Sequence, residues 1–160
     1  MARRKRFAIA WLALGLCALG GYLWTAQHTP GRFSVRAGGQ EVHDRSTGLT
    51  WRRCTEGMRW SGVGCTGEPR TFTQIEATEH AAQQTGWRLP TVGELHTLVD
   101  AGRRNPAIDT QAFPDTPPDW FWSASQANSR ITHAWLVHFG EGRANMALRL
   151  NHLPARLVRR

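Results

Sequence analysis

Two cysteines, Cys54 and Cys65, bracket the stretch CTEGMRWSGVGC, and the third, Cys17, lies upstream in an apolar run. Paired thiols can ligate a metal, shuttle electrons or close a loop. Structural zinc sites set cysteines about two to four residues apart with further Cys or His ligands nearby, and redox pairs use C-x-x-C. Ten intervening residues fit neither pattern. They fit a loop staple, with Gly57, Gly62 and Gly64 allowing the tight turns. Such a staple stabilises a fold by about 3 kcal/mol in the chain-entropy picture. It persists only in an oxidising compartment, so a Cys54–Cys65 disulfide is expected if the chain is exported.

Other reactive residues form no constellation. The histidines His28, His43, His80, His96, His133, His138 and His152 are scattered, with no H-E-x-x-H or H-x3-H ligand pair. His133 and His138 fall on opposite faces of one expected strand. Ser123 and Ser125 lack a G-x-S-x-G elbow. In EPR, residues 68–70, Arg70 puts a cation where a calcium site needs an oxygen. No catalytic residue, metal or cofactor is expected.

Export is written at the start. Arg3, Arg4, Lys5 and Arg6 precede 18 uncharged residues, FAIAWLALGLCALGGYLW. At about 1.5 Å per residue a helix of that length spans roughly 27 Å, just short of a hydrocarbon core of about 30 Å. Tyr22 and Trp24 stand where an interfacial belt would be, and the leading positive charge keeps the N-terminus in the cytoplasm. Leu23 or Trp24 at position −3 makes a poor peptidase site. The favoured reading is an uncleaved signal anchor. A cleaved signal and a lipidated Cys17 remain alternatives, and all three export the rest of the chain.

Beyond the QHTPGR linker, short strand-like runs alternate with turns: RFSV, QEVHD, LTWRRC. Thr73 with Glu76, and Thr91 with Glu94, are capping boxes that open two helices, over residues 73–85 and from Thr91 to a stop at Gly102. Leu95, Leu98 and Val99 give the second a core stripe. Residues 105–119 carry four prolines and form an irregular loop anchored by Ile108 and Phe113. Strands return at WFWSAS, HAWLVHF, ANMALRL and ARLVRR. Trp135, Val137 and Phe139 should share one face, with Leu136 on the other. Strands, two helices, a loop and strands again read as α+β.

The formal charge is +8, with 19 arginines and a single lysine. A polyanion-binding surface or a GC-rich coding sequence would each produce that skew. Six of the eight tryptophans follow the linker. Trp51, Trp87 and Trp135 are expected in the core. Trp60, in the glycine-rich loop, and Trp120, after a proline run, are the candidates for ligand contact. Arg88 is expected to form a structural ion pair with Glu94 or Asp109. Arg103 and Arg104 are the candidate anion contacts, with Arg156, Arg159 and Arg160 beside them. A nucleic-acid partner is not expected, because this surface lies outside the cytoplasm and no binding motif accompanies it.

The ordered motifs GLTWRRC, the C-x10-C loop, GWRLPTVGELHTLVD, NPAIDTQAFPDTP, WFWSAS and AWLVHFGEG resemble the DUF1566 domain, also called the Lcl C-terminal domain, over about residues 40–159. The resemblance implies a compact C-type-lectin-like mixed domain, related to formylglycine-generating enzymes, with two helices and short antiparallel strands. The adhesin that names the domain is associated with sulfated polysaccharides. Its collagen-like repeats are absent here, and ARLVRR lacks the cysteine that many relatives carry near the C-terminus. The formylglycine-generating relatives use two reactive cysteines, whereas the exported pair here is spaced as a staple.

The expected layout is a cytoplasmic basic tail (1–6), a transmembrane signal anchor (7–24), a linker (25–32) and an exported domain (33–160). This makes a single-pass inner-membrane protein with its C-terminal domain in the periplasm. The expected function is a non-catalytic binding module for an envelope protein or a sulfated or anionic polysaccharide. A structural accessory subunit of an envelope assembly comes second and a formylglycine-generating-like enzyme third.

Overall fold

The computed structural model describes residues 31–127 and 130–160. The expected anchor and most of the linker lie outside them. Among the described residues no helix is long and apolar enough to cross a membrane.

The described residues begin with β1 (Phe33–Arg36), a 3-10 turn at Ala37–Gly39, β2 (Glu41–Asp44) and β3 (Leu49–Arg52). Short strands β4 (Arg59–Trp60), β5 (Cys65–Thr66) and β6 (Thr71–Phe72) precede helices α1 (Gln74–Ala82) and α2 (Val92–His96). The long loop then leads to β7 (Trp120–Ala127), β8 (Arg130–His138) and β9 (Arg143–Leu148), and finally to β10 (Leu153–Pro154) and β11 (Val158–Arg159). The result is a mixed fold with few helices and antiparallel sheets. One sheet runs β1-β2-β3-β11 and a second β7-β8-β9, with two-stranded pairs β4-β5 and β6-β10.

Both helices begin where the capping boxes place them. The Thr73 and Thr91 hydroxyls each accept from the backbone N–H three residues on, at 3.2 Å, and Glu76 and Glu94 close the boxes in return. The second helix is shorter than its stripe implies. It stops at His96, and a tight turn carries Leu98 into the core instead. Arg32 belongs to the folded body rather than to the linker. Its guanidinium meets the fully buried Asp44 carboxylate at 2.9 and 2.7 Å. Burial alone would raise Asp44, but Arg32, the Ser46 N–H and the Thr47 hydroxyl outweigh it and hold the acid below its ordinary value.

Core packs against both faces of the β7-β8-β9 sheet. Phe121, Val137 and Phe139 join Val42, Trp51, Leu95, Leu98, Ile108 and Phe113 in one cluster. Trp122, Ala134 and Leu136 join Phe72, Ala77, Trp87 and Leu157 in the other. A strand buried on both faces reads as a nearly continuous apolar run, as HAWLVHF does. Trp135, expected in the core, is only half-buried. It shares the face of Val137 but lies toward the strand end where Ile131 is exposed.

Arg156 overturns the expectation of a surface cation. It is fully buried. Nη1 donates to Arg52 O at 2.8 Å and to Arg53 O, while Nη2 donates to Thr55 Oγ1 at 3.3 Å and Thr116 Oγ1 at 2.8 Å. The guanidinium carbon lies 5.0 Å from the Phe113 ring centroid. No carboxylate hydrogen-bonds it among the described residues. Desolvation pushes its pKa down to about 9, so it still carries its charge at neutral pH. The C-terminal segment is therefore pinned from inside to β3, the disulfide loop and the proline-rich loop.

Candidate ligand-binding face

In the β1-β2-β3-β11 sheet Val42, Leu49, Trp51 and Val158 point into the core, and their strand neighbours turn to the opposite face, where Thr50 is still buried. The register sets Arg36 opposite Glu41 and Glu41 opposite Arg52, one cross-strand row on the outer face. Directly opposed residues sit about 4.5–5.5 Å apart at Cβ. His43, Thr50 and Arg159 extend the same face, the His43 Nδ1 lying 3.3 Å from the Thr50 hydroxyl.

Trp87 fixes the edge of this face. Arg88 bridges to Val158 with N–H···O distances of 2.9 and 3.0 Å, bringing the preceding indole alongside β11. Its ring lies 4.3 Å from the Arg52 guanidinium carbon and 4.9 Å from that of Arg159. Arg159 Nη2 donates to Glu41 at 2.6 Å, and Arg52 Nη2 donates to Gln84 Oε1 at 2.8 Å. Gln84 Nε2 in turn donates to Glu56 at 3.4 Å, and the His80 ring nitrogen lies 2.7 Å from the same carboxylate oxygen.

Next to this row is a cleft of about 220 Å³ lined by Gln40, Arg52, Thr55, Glu56, Arg59 and Gln84, with Cys54 in its wall. Arg36 and Arg59 are exposed and make no side-chain hydrogen bond or ion pair among the described residues. The Arg52 Nε is buried without a partner. A face of this composition can hold an anion through exposed guanidinium groups and carboxamides.

The disulfide holds the rim. Cys54 and Cys65 are bonded, with Cα atoms 5.5 Å apart. The β4-β5 hairpin carries Arg59 and Trp60, and Asp115 secures it by accepting from the Cys65 N–H at 2.8 Å. Trp60 is half-buried, with the Arg53 guanidinium carbon 3.7 Å from its ring centroid. Arg53 donates to Ala112 O and Gln111 O, and burial lowers its pKa. Gly39, at φ +95°, lets the indole lie against the backbone, where a β-carbon would come within 2.2 Å of Trp60 Nε1. A Gly39→Ala change should expel the ring at a cost of about 1–3 kcal/mol. The check is Trp60 exposure, read by fluorescence quenching against a Trp60→Phe control.

The other residues singled out in the sequence fall elsewhere. Trp120 is half-buried, edge-on to His138 at 4.7 Å, with Arg143 at 5.4 Å from its ring centroid. Arg103 is paired with Asp100 at 2.9 Å, and Arg104 donates to the Ala101 and Arg103 carbonyls. The Asn105 N–H donates to Gly140 O, which puts this turn at the same end as Trp120 and His138. Asp109 closes a local turn by accepting from the Gln111 and Ala112 N–H groups. Sequence reasoning did not single out Arg36, Arg52 or Arg59. The signal for Arg36 and Arg52 was the polar half of the strand alternation in FSVR and LTWR; Arg59, in a two-residue strand, carried none.

Of the two partners offered to Arg88, Glu94 is the one it takes, at 2.8 and 2.6 Å in a two-point contact. The guanidinium, with the Thr91 N–H, draws the Glu94 pKa from 4.5 to about 2 despite partial burial. Between these two values the unfolded chain binds the extra proton. The stabilisation is therefore complete above pH 4.5 and lost as pH falls to about 2. Discounted for solvent screening it is about 1–2 kcal/mol. Glu94→Gln should lower stability by that amount at pH 7 and flatten the acid limb of a denaturation series.

The family model of the Lcl C-terminal domain matches residues 40–159. No curated protein matches the chain.

Proposed function

The chain belongs to the Lcl C-terminal domain family, and from that premise we propose a membrane-anchored, exported, non-catalytic binding module that holds a polyanionic glycan of the cell envelope. Residues 7–24 anchor it in the inner membrane as a single pass, and the folded domain faces the periplasm. Its chain path is of the C-type-lectin-like kind shared with formylglycine-generating enzymes, put to binding rather than chemistry. Arg52 and Arg59 in the cleft and Arg36 in the adjoining row carry this reading, since none of the three pairs with an acid among the described residues. The disulfide supports export, because such a bond persists outside the cytosol.

Two experiments test it. The full chain should be retained on a sulfated-polysaccharide column at low salt and released at moderate salt, where exposed charges are screened. Passage through at low salt would exclude the glycan. A reporter fused to the C-terminus should be active only on the periplasmic side, and cytosolic activity would remove the anchor and the envelope role together.

A second reading, an accessory subunit making only protein contacts, is favoured by one feature. Ile131 is 82% exposed and Leu150 75%, with the half-exposed Leu148 nearby. Ile131 and Leu148 share a face through the pairing of His133 with Leu148. Crosslinking in membranes to one defined protein, lost on Ile131→Ser/Leu150→Ser, would favour it.

A further inference from the structure

One small cavity differs in character from the arginine face. It measures about 210 Å³ and lies where Trp120, Leu136, Asn145 and Ala147 of the β7-β8-β9 sheet meet Asn151 and Leu153. Every lining side chain is uncharged, in a chain of formal charge +8. The register makes this a built place. Leu136 lies opposite both Trp122 and Asn145, so a buried apolar floor runs directly into an exposed carboxamide on the edge strand. His138, opposite Trp120 and edge-on to it, sets the angle of the indole wall. Arg143, beyond the ring, is paired with Glu141 at 2.7 Å.

The polar groups define the ligand. Asn145 Oδ1 accepts from the Met146 N–H at 2.8 Å, which leaves its NH₂ to donate outward. The Asn151 carboxamide makes no hydrogen bond among the described residues, so it offers both donor and acceptor. An anion would find no cation in the lining, and a metal no carboxylate. An aliphatic side chain would bury carboxamides without partners, at roughly 1–3 kcal/mol each. A ring with one C–H face and a rim of hydroxyls uses all the parts: indole and leucine for the face, carboxamides for the hydroxyls. At this volume, below the roughly 300–1,000 Å³ of drug-sized sites, there is room for one such ring.

We infer that the Trp120–Asn145–Asn151 cavity binds one uncharged pyranose ring. The inference stands apart from the polyanion reading, since it uses none of the arginines of that face. It is tested by titrating the isotope-labelled full chain with glucose, galactose and N-acetylglucosamine, following indole and side-chain amide resonances. At least one sugar should give saturable shifts at Trp120, Asn145 and Asn151 with millimolar affinity, weakened about tenfold or more in Asn145→Ala/Asn151→Ala. Both asparagines are exposed, so that variant should fold, with an unchanged melting temperature as the control. Three results would overturn the inference: no saturable shift with any of the three sugars, shifts confined to other residues, or equal affinity in the variant. Column retention on the sulfated polysaccharide should be the same for the variant and the parent, so the two claims can fail separately.

Discussion

Replacing Arg156 with alanine should cost the domain about 3–5 kcal/mol. Typical domains have only about 5–15 kcal/mol in all. The change strands the carbonyls of Arg52 and Arg53 and the hydroxyls of Thr55 and Thr116, and it opens a cavity beside Phe113. Urea titration at neutral pH reads the loss as a lower midpoint at unchanged slope. Two further substitutions separate causes. Arg156→Lys keeps the charge but offers a single nitrogen, too compact for four acceptors spread across two carbonyls and two threonines. Its loss should approach that of alanine. Arg156→Met keeps the volume and removes the buried charge. Replacing buried ionic groups with apolar ones is often neutral, so the charge alone would make methionine harmless. The hydrogen bonds say otherwise: methionine should also lose about 2–4 kcal/mol, because the carbonyls remain unpaired. A methionine variant as stable as the parent would contradict this account of the C-terminal segment.

Removing the disulfide is the second large effect. In Cys54→Ala/Cys65→Ala the unfolded chain regains the freedom of a loop spanning 11 positions. The expected loss is about 3 kcal/mol, or about 10 °C in melting temperature. The loss extends beyond stability, because the hairpin that carries Arg59 and Trp60 is closed by this bond. Reduction of the parent protein should reproduce the shift, and neither treatment should change the spectrum of the β7-β8-β9 sheet. A double variant melting within about 2 °C of the parent would remove the staple from the account.

Local signals were readable and long-range ones were not. The capping boxes at Thr73 and Thr91 involve residues three apart, so the sequence alone locates both helix starts. Strand alternation in EVHD and LTWR is equally local. The family resemblance over GWRLPT and NPAID carried the domain assignment. The two-residue strands β6 and β10 carry no such pattern, because the Phe72–Leu153 pairing joins distant segments. Arg156 misled for the same reason. ARLVRR reads as an edge strand with basic ends, and the carbonyls that bury its first arginine come from the other end of the domain. Trp60 and Trp120 are the ligand-contact candidates of the sequence. Each is half-covered by an arginine partner, Arg53 or Arg143. The described residues hold seven such arginine–ring contacts, against about two expected for this length. Part of the arginine skew is therefore structural. Of the exposed arginines with no side-chain partner among the described residues, Arg36 and Arg59 belong to the candidate face, whereas Arg160 lies beside Gly93 and Glu94.

The claim that an anionic glycan occupies the arginine face is tested most directly by calorimetry of the full chain with a size-defined sulfated oligosaccharide. The parent is compared with Arg36→Ser/Arg59→Ser. Each exposed charge contact is worth roughly 0.2–1 kcal/mol, so the double variant should bind about 2- to 30-fold more weakly, with its melting temperature unchanged. The parent's affinity should also fall as salt rises. Equal affinities for parent and variant, or no binding heat at low salt, would contradict the account.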